Sequence, residues 1–184
     1  MNKGLTVLEL LVALVIAALL AGMAAQTWQG FIARERGLST INSVAAAIAT
    51  ARSAAIQHRR TVRLCPGSGD RCAGRNQWHV GSLIFMDRNR NRSVDENETV
   101  ISRTPGFKGG SLRWRSFRNR IDLVFSSSGV TDWLNGSFLY CDDSGNPAAA
   151  RMLIVNVAGR VRHSRDSNGD GIREDAAGDP LRCT

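Results

Sequence analysis

Acidic residues are missing from two long stretches of the chain, and both stretches hold arginine instead. No Asp or Glu occurs between Glu98 and Asp122, where Arg103, Lys108, Arg113, Arg115, Arg118 and Arg120 fall, or between Asp143 and Asp166, where Arg151, Arg160, Arg162 and Arg165 fall. Lysine is equally scarce, since Lys3 and Lys108 are the only two among 24 basic residues, and the formal charge is +8. Arginine offers a planar fork of donors suited to phosphate, and charge segregated in this way is the footprint of an anionic partner. Histidine is nearly absent too: His58, His79 and His163 sit in different segments with no nucleophile or carboxylate beside them. No GxSxG, HExxH or P-loop pattern occurs, and the cysteines lack the CxxC or Cys/His spacing of a zinc site. An enzyme is not expected.

Charge is nearly missing from Leu5 to Ala25 as well, a hydrophobic run of 21 residues whose one charged side chain is Glu9. At ~1.5 Å per residue the run spans about 30 Å, the thickness of a bilayer core. A secretory signal is the alternative, with Ala21 to Ala25 as its small-residue end, but such signals have shorter apolar stretches of about 7 to 15 residues. Glu9 is the decisive feature, because a carboxylate in hydrocarbon costs several kcal/mol and needs a partner.

The segment MNKG followed by LTVLELLVALVIAALL resembles the class III signal of type IV prepilins and type II secretion pseudopilins. The resemblance implies cleavage by a prepilin peptidase after Gly4, N-methylation of the new terminus Leu5, and an assembly role for Glu9, which a neighbouring subunit's terminal amine would neutralise. Residues 1–4 are then a leader and 5–25 a transmembrane helix. Residues 26–59 continue as an amphipathic helix without proline, with Phe31, Leu38, Ile41, Val44, Ala45, Ile48, Ala51 and Ile56 at helical intervals.

Beyond Arg59 short alternating runs lie between Gly, Asn, Asp and Ser clusters, the pattern of antiparallel strands. Strands are expected at Thr61 to Cys65, Trp78 to Met86, Glu98 to Ser102, Ser111 to Arg115, Ile121 to Phe125, Ser137 to Cys141, Arg151 to Val157 and Arg160 to His163. The expected fold class is α+β, a long N-terminal helix packed on the antiparallel sheet of a head at 60–184. Four cysteines, Cys65, Cys72, Cys141 and Cys183, follow the apolar run, and an even count in an exported domain points to disulfides. Three pairings exist; one joins Cys65 to Cys72 around a short Pro/Gly-rich loop and leaves Cys141 with Cys183.

The head is similar to the GspH/FimT family of minor pilins and pseudopilins. The residues that carry the similarity are the Cys65–Cys72 loop, WHVGSLIFMDRNRN from Trp78, IDLVFSSSGV from Ile121, GSFLYC ending at Cys141 and RMLIVNVAGRVR from Arg151. The resemblance implies partnership with other pilins and, on its FimT side, DNA uptake in natural transformation. Assembly priming without DNA, or a type II secretion pseudopilus contacting protein cargo, are the other roles the family offers. GRVRHSR, Gly159 to Arg165, resembles the GRxR motif of FimT-type pilins, so the expected DNA contact is Arg160, Arg162 and Arg165, with Lys108, Arg113, Arg115 and Arg118 contributing if the strands bring them alongside. Trp114 and Trp133 could stack on bases, although alternation assigns Trp114 to the core.

Two loops have oxygen ligands at calcium-like spacing. Asp166, Asn168, Asp170 and Glu174 start such a loop, which lacks a closing glutamate because Ala177 stands there; Asp87, Asn89 and Asn91 form a weaker version with Arg92 in place of glycine. Both suit plain polar turns as well.

Two outcomes follow from the N-terminal reading. Gly4 replaced by a bulky residue leaves an uncut precursor, seen as an intact mass that retains the leader; a normally processed mass refutes the cleavage site. Glu9→Ala eases membrane insertion but lowers incorporation into filaments, which immunoblotting of sheared filaments measures, with normal incorporation as the refuting result.

Overall fold

The computed structural model describes residues 6–75 and 77–183, and within the first helix the side chains at positions 21, 23–27 and 29 lie outside the description. Helix α1 runs Val7–His58, 52 residues and about 78 Å. Thr6 caps its start and receives the Glu9 backbone N–H, while the Glu9 carboxylate accepts the Thr6 N–H in return, a reciprocal capping box. Arg59 ends it in the left-handed region at φ 49°, its N–H turned back to the Ala55 and Ile56 carbonyls.

The first half of α1 is apolar and exposed on every side from Val7 to Leu20. Among the described residues no helix is long and apolar enough to cross a membrane. The span expected at 5–25 includes Leu5 and side chains that lie outside the description. From Gly37 onward one face is buried: Gly37, Thr40, Ile41, Val44, Ala47, Ile48, Ala51, Ala54 and Ala55. This face is made of smaller residues than the expected stripe, and Phe31 and Ile56 are exposed instead. Close approach explains the difference, because a Cβ at Gly37 would sit 3.1 Å from the Ala149 carbonyl oxygen and 3.2 Å from the Tyr140 ring.

Among the described residues eight strands form two four-stranded antiparallel sheets. Sheet 1 contains β1 (Val62–Pro66), β2 (Gly81–Phe85), β3 (Val100–Pro105) and β5 (Leu123–Phe125), in the order β3-β2-β1-β5. Sheet 2 contains β4 (Ser111–Ser116), β6 (Gly136–Cys141), β7 (Arg151–Val155) and β8 (Val161–His163), in the order β4-β6-β7-β8. Helix α1 packs against both, and Leu64, Ile84, Leu123, Phe125, Phe138, Tyr140 and Leu153 close the core beneath it. Thus the α+β class, a helix on antiparallel sheets, is what the chain adopts.

The strand expected from Trp78 begins later, because Trp78–Val80 forms a 3-10 turn. Gly81 sets that boundary: at φ 126° it passes so close to β3 that a Cβ would fall 2.5 Å from the Thr104 carbonyl oxygen. The turn tucks Trp78 against Phe138 edge-on at 4.7 Å, and Trp114 flanks the same ring at 4.4 Å. Trp114 is therefore a core residue.

Disulfides join Cys65 to Cys72 and Cys141 to Cys183. The first fastens a loop to the end of β1. The second holds the C-terminal segment against the outer face of sheet 2, where Leu181 is buried with Leu139, Ala150 and Met152.

Alkylation of the native, unreduced protein should therefore label none of the four cysteines. Because the second bond closes a span of 42 residues and the first only 7, chain entropy assigns about 4 kcal/mol to the former and about 2 kcal/mol to the latter. Cys183→Ser should consequently lower the denaturation midpoint more than Cys72→Ser, and equal loss would contradict the loop-length argument.

Candidate nucleic-acid interface

The expected arginine pair lies on a hairpin at the free edge of sheet 2. Asn156 to Gly159 turns the chain between β7 and β8: the Gly159 N–H donates to the Asn156 carbonyl at 2.9 Å, and the Arg160 N–H to the Asn156 side chain at 2.9 Å. Gly159 is required twice over. Its φ is 70°, and a Cβ there would stand 2.9 Å from both the Gly129 carbonyl oxygen and the Phe125 ring. The stem of Arg52 on α1 lies within 3.5 Å of both glycine positions, so the helix supports the hairpin from below.

Register fixes which way the arginines point. Arg162 pairs with Ile154, Ile154 with Ser137 and Ser137 with Arg115, so Arg115 and Arg162 end one row across the outer face of sheet 2. At ~4.8 Å per strand they stand about 14 Å apart. Arg160 lies two residues from Arg162, a separation of ~6.5 Å in extended chain and close to the spacing of successive phosphates on one strand. Arg160, Arg162 and Arg165 are exposed and have no ion-pair partner among the described residues.

The other expected contributors are spread along the sheet. Lys108 occupies the turn before β4, beside the Cys141 end of the sheet, so the register carries it away from Arg160 and Arg162. Arg113 is half-buried on β4, two residues before Arg115, in a shallow recess that Arg75, Arg115 and Asn119 also line. Arg118 is at the hairpin's end of the sheet, its guanidinium 5.8 Å from the centre of the exposed Phe117 ring. Two arginines from the acid-free stretches are engaged: Arg103 pairs with Asp70, and Arg151 is buried, donating to the Ala148 and Ala150 carbonyls at 3.0 and 2.8 Å. Burial, followed by the nearby Arg173 and Arg34 charges, lowers the Arg151 pKa.

In both calcium-like loops the oxygen groups have partners within the protein. Asp166 accepts the Gly169 and Gly171 N–H groups at 2.7 and 2.9 Å, Asp170 accepts Ile172 N–H at 2.7 Å, and Glu174 accepts Ser167 N–H at 2.9 Å. Asn168 donates to Asp170 at 2.9 Å. The carboxylates accept amides of their own loop, and among the described residues no three His, Cys, Asp or Glu side chains come together to hold a metal. In the second loop Asn89 and Asn91 donate to Asp95 at 2.7 and 2.8 Å, and Asp87 is turned inward.

Sequence patterning missed where Asp87 goes. Arg63 projects from the middle of β1 on the face away from α1, buried, and its guanidinium is paired with Asp87 and Asp122. Arg92 completes the group, its N–H on Asp87 at 3.2 Å and its Nε 3.5 Å from Asp122. Desolvation lowers the Arg63 pKa, opposed by the bond to Asp87. The only signal available was an arginine within an otherwise apolar strand, which requires an acid from somewhere.

Gly4 and Leu5 lie outside the described residues. Glu9 is described, exposed one turn into α1 and engaged with Thr6.

Comparison with known proteins adds three findings. Residues 40–159 match the family of type II transport protein GspH, and residues 1–25 match the prokaryotic N-terminal methylation motif. No curated protein matches the chain. Two crystal structures of the type IV minor pilin FimU of Pseudomonas aeruginosa share the fold at 20% identity: one covers 84% of this chain and 99% of that chain with a TM-score of 0.57, the other 80% and 99% with a TM-score of 0.53. Proteins of this kind are structural subunits rather than enzymes, processed at a methylated N-terminus, held in a membrane before assembly and then built into a filament with other pilins. With a family match over most of its length and a helix-on-sheet head of the minor-pilin fold, the chain belongs to the GspH family of type IV minor pilins and pseudopilins.

Proposed function

We propose that the chain is a minor type IV pilin whose head binds extracellular DNA without regard to sequence, so that filament retraction carries DNA toward the cell. In this reading residues 1–4 are removed by the prepilin peptidase, 5–25 cross the inner membrane once, 26–59 join anchor to head, and 60–184 form the part exposed to the periplasm or the outside. The observation that carries it is the edge hairpin with Arg160 and Arg162, both exposed and without an acid in reach among the described residues. Each guanidinium can give two parallel donors to a phosphate, an arrangement that holds the backbone and reads no bases. Arg115 at the far end of the same row, and Arg118 in a recess shared with Val157 of the hairpin turn, extend the positive surface.

The segment 160–165 follows the residues matched to the GspH family. The reading is supported by these arginines together with the resemblance of GRVRHSR to the GRxR motif of FimT-type pilins.

The test is fluorescence anisotropy with a labelled mixed-sequence duplex and the full-length protein in detergent, across a salt series. Arg160→Gln with Arg162→Gln should weaken binding several-fold and reduce the slope of log affinity against log salt by about two, one per lost phosphate contact. Circular dichroism should be unchanged. A folded double variant that binds like the parent at every salt concentration removes the site and favours a subunit that only primes assembly.

A further inference from the structure

A cleft of about 550 Å³ opens beside the hairpin, and phosphate binding on the hairpin makes no use of it. Arg63, Asp122 and Val124 line its base, the loop carrying Arg90 and Arg92 forms one wall, and the segment from Val130 to Leu134, with Trp133, forms the other. The volume is of the size that small-ligand sites occupy, roughly 300 to 1,000 Å³. Its charges are unevenly spent. Arg63 and Arg92 are held by Asp87 and Asp122, whereas Arg90 and Arg120 are exposed, have no ion-pair partner among the described residues, and face only Asp132 as a further acid in the lining.

Trp133 is the unusual wall. It is 74% exposed, and its backbone is left-handed at φ 52°, a region bulky side chains seldom enter. The neighbours leave it no other course. Thr131 is buried, its hydroxyl donating to the Leu134 carbonyl at 2.6 Å with the Val157 carbonyl also in reach at 2.9 Å, and it accepts the Leu134 N–H at 3.2 Å. Leu134 is buried as well, so the two residues pin the chain on either side and hold the indole out in water. On its other side Trp133 lines a second, shallower recess with Phe117, Arg118 and Val157, the last belonging to the hairpin that carries Arg160. Trp133 therefore lines both recesses, with Arg90 and Arg120 on one side and Phe117, Arg118 and the hairpin residue Val157 on the other.

We propose that this surface takes single-stranded nucleic acid, with a base stacked on Trp133 and its phosphate against Arg90 and Arg120. Alternation of cationic and aromatic groups along a groove is how proteins bind single strands without sequence preference, because every base has a face to stack. In a duplex those faces are already covered. The hairpin arginines grip either form; the cleft selects the unpaired one. The inference rests on nucleic acid being the ligand of the head and adds the strand state it prefers.

The test compares a labelled thymidine oligonucleotide of about 12 nucleotides, within the usual site size, with a duplex of equal length, using full-length protein in detergent at one salt concentration. The parent should bind the oligonucleotide, and Trp133→Ala should weaken that binding about tenfold or more, within the range a lost stacking contact gives, while duplex affinity changes less than about twofold. Trp133→Phe should restore most of the loss. Arg90→Gln with Arg120→Gln, both on exposed loops, should weaken the single strand and leave the duplex, and serves if Trp133→Ala does not fold. Failure of the parent to bind the oligonucleotide, unchanged single-strand affinity in the variants, or equal loss for both forms overturns the proposal. The hairpin variant Arg160→Gln with Arg162→Gln is run beside them: if it binds both forms like the parent while Trp133→Ala loses the single strand alone, the hairpin site falls and the cleft stands.

Discussion

The two sheets share no strand, and the buried stripe of α1 from Gly37 to Ala55 is what makes one body of them. That stripe is built of glycine, alanine and short branched residues because the helix must lie close to β6 and β7 while still meeting β1. Larger side chains would lift the helix off one sheet or the other, at the cost of overpacking. Everything functional hangs from this seam: the hairpin of β7 and β8 is seated on Arg52, and β5, whose Val124 lines the base of the cleft, places Leu123 and Phe125 in the same core.

Acids are few on this chain, and the structure shows where they are used. Asp87 and Asp122 neutralise an arginine that the fold buries, Asp70 restrains Arg103, and Asp166, Asp170 and Glu174 fold their own loop by accepting backbone amides. Carboxylates so engaged do not quench the arginines of the β8 hairpin or those at the mouth of the cleft. Burying the Arg63 group is expensive for both signs, and breaking such a set by removing one partner costs roughly 3 to 5 kcal/mol. Its return is positional, since it clamps the loop bearing Arg90 and Arg92 to the sheet.

Much of the fold was legible in the sequence for identifiable reasons. The helix runs without proline to His58, and each of the strands found overlaps an alternating run bounded by turn residues, so local pattern and tertiary structure agree. What escaped was set by contacts between distant residues. Trp78 leaves the extended conformation because Gly81 must pass the Thr104 carbonyl, Asp87 abandons its loop for an arginine 24 positions earlier, and Lys108 is separated from the hairpin by sheet register. Trp133, which the sequence offered as a residue able to stack on bases, is exposed, and the Thr131 bonds to Val157 and Leu134 hold it outward.

Gly37 has a mechanical side. From there to Glu9 the helix backbone extends about 42 Å at 1.5 Å per residue, so it is a lever whose fulcrum is the close packing against Ala149 and Tyr140. Tilting it there by about 5 degrees would swing the Glu9 end by roughly 4 Å, as far as the reach of an ion pair. A substitution at position 37 would thus act at a distance, misaligning a carboxylate some eight turns away while leaving the head folded.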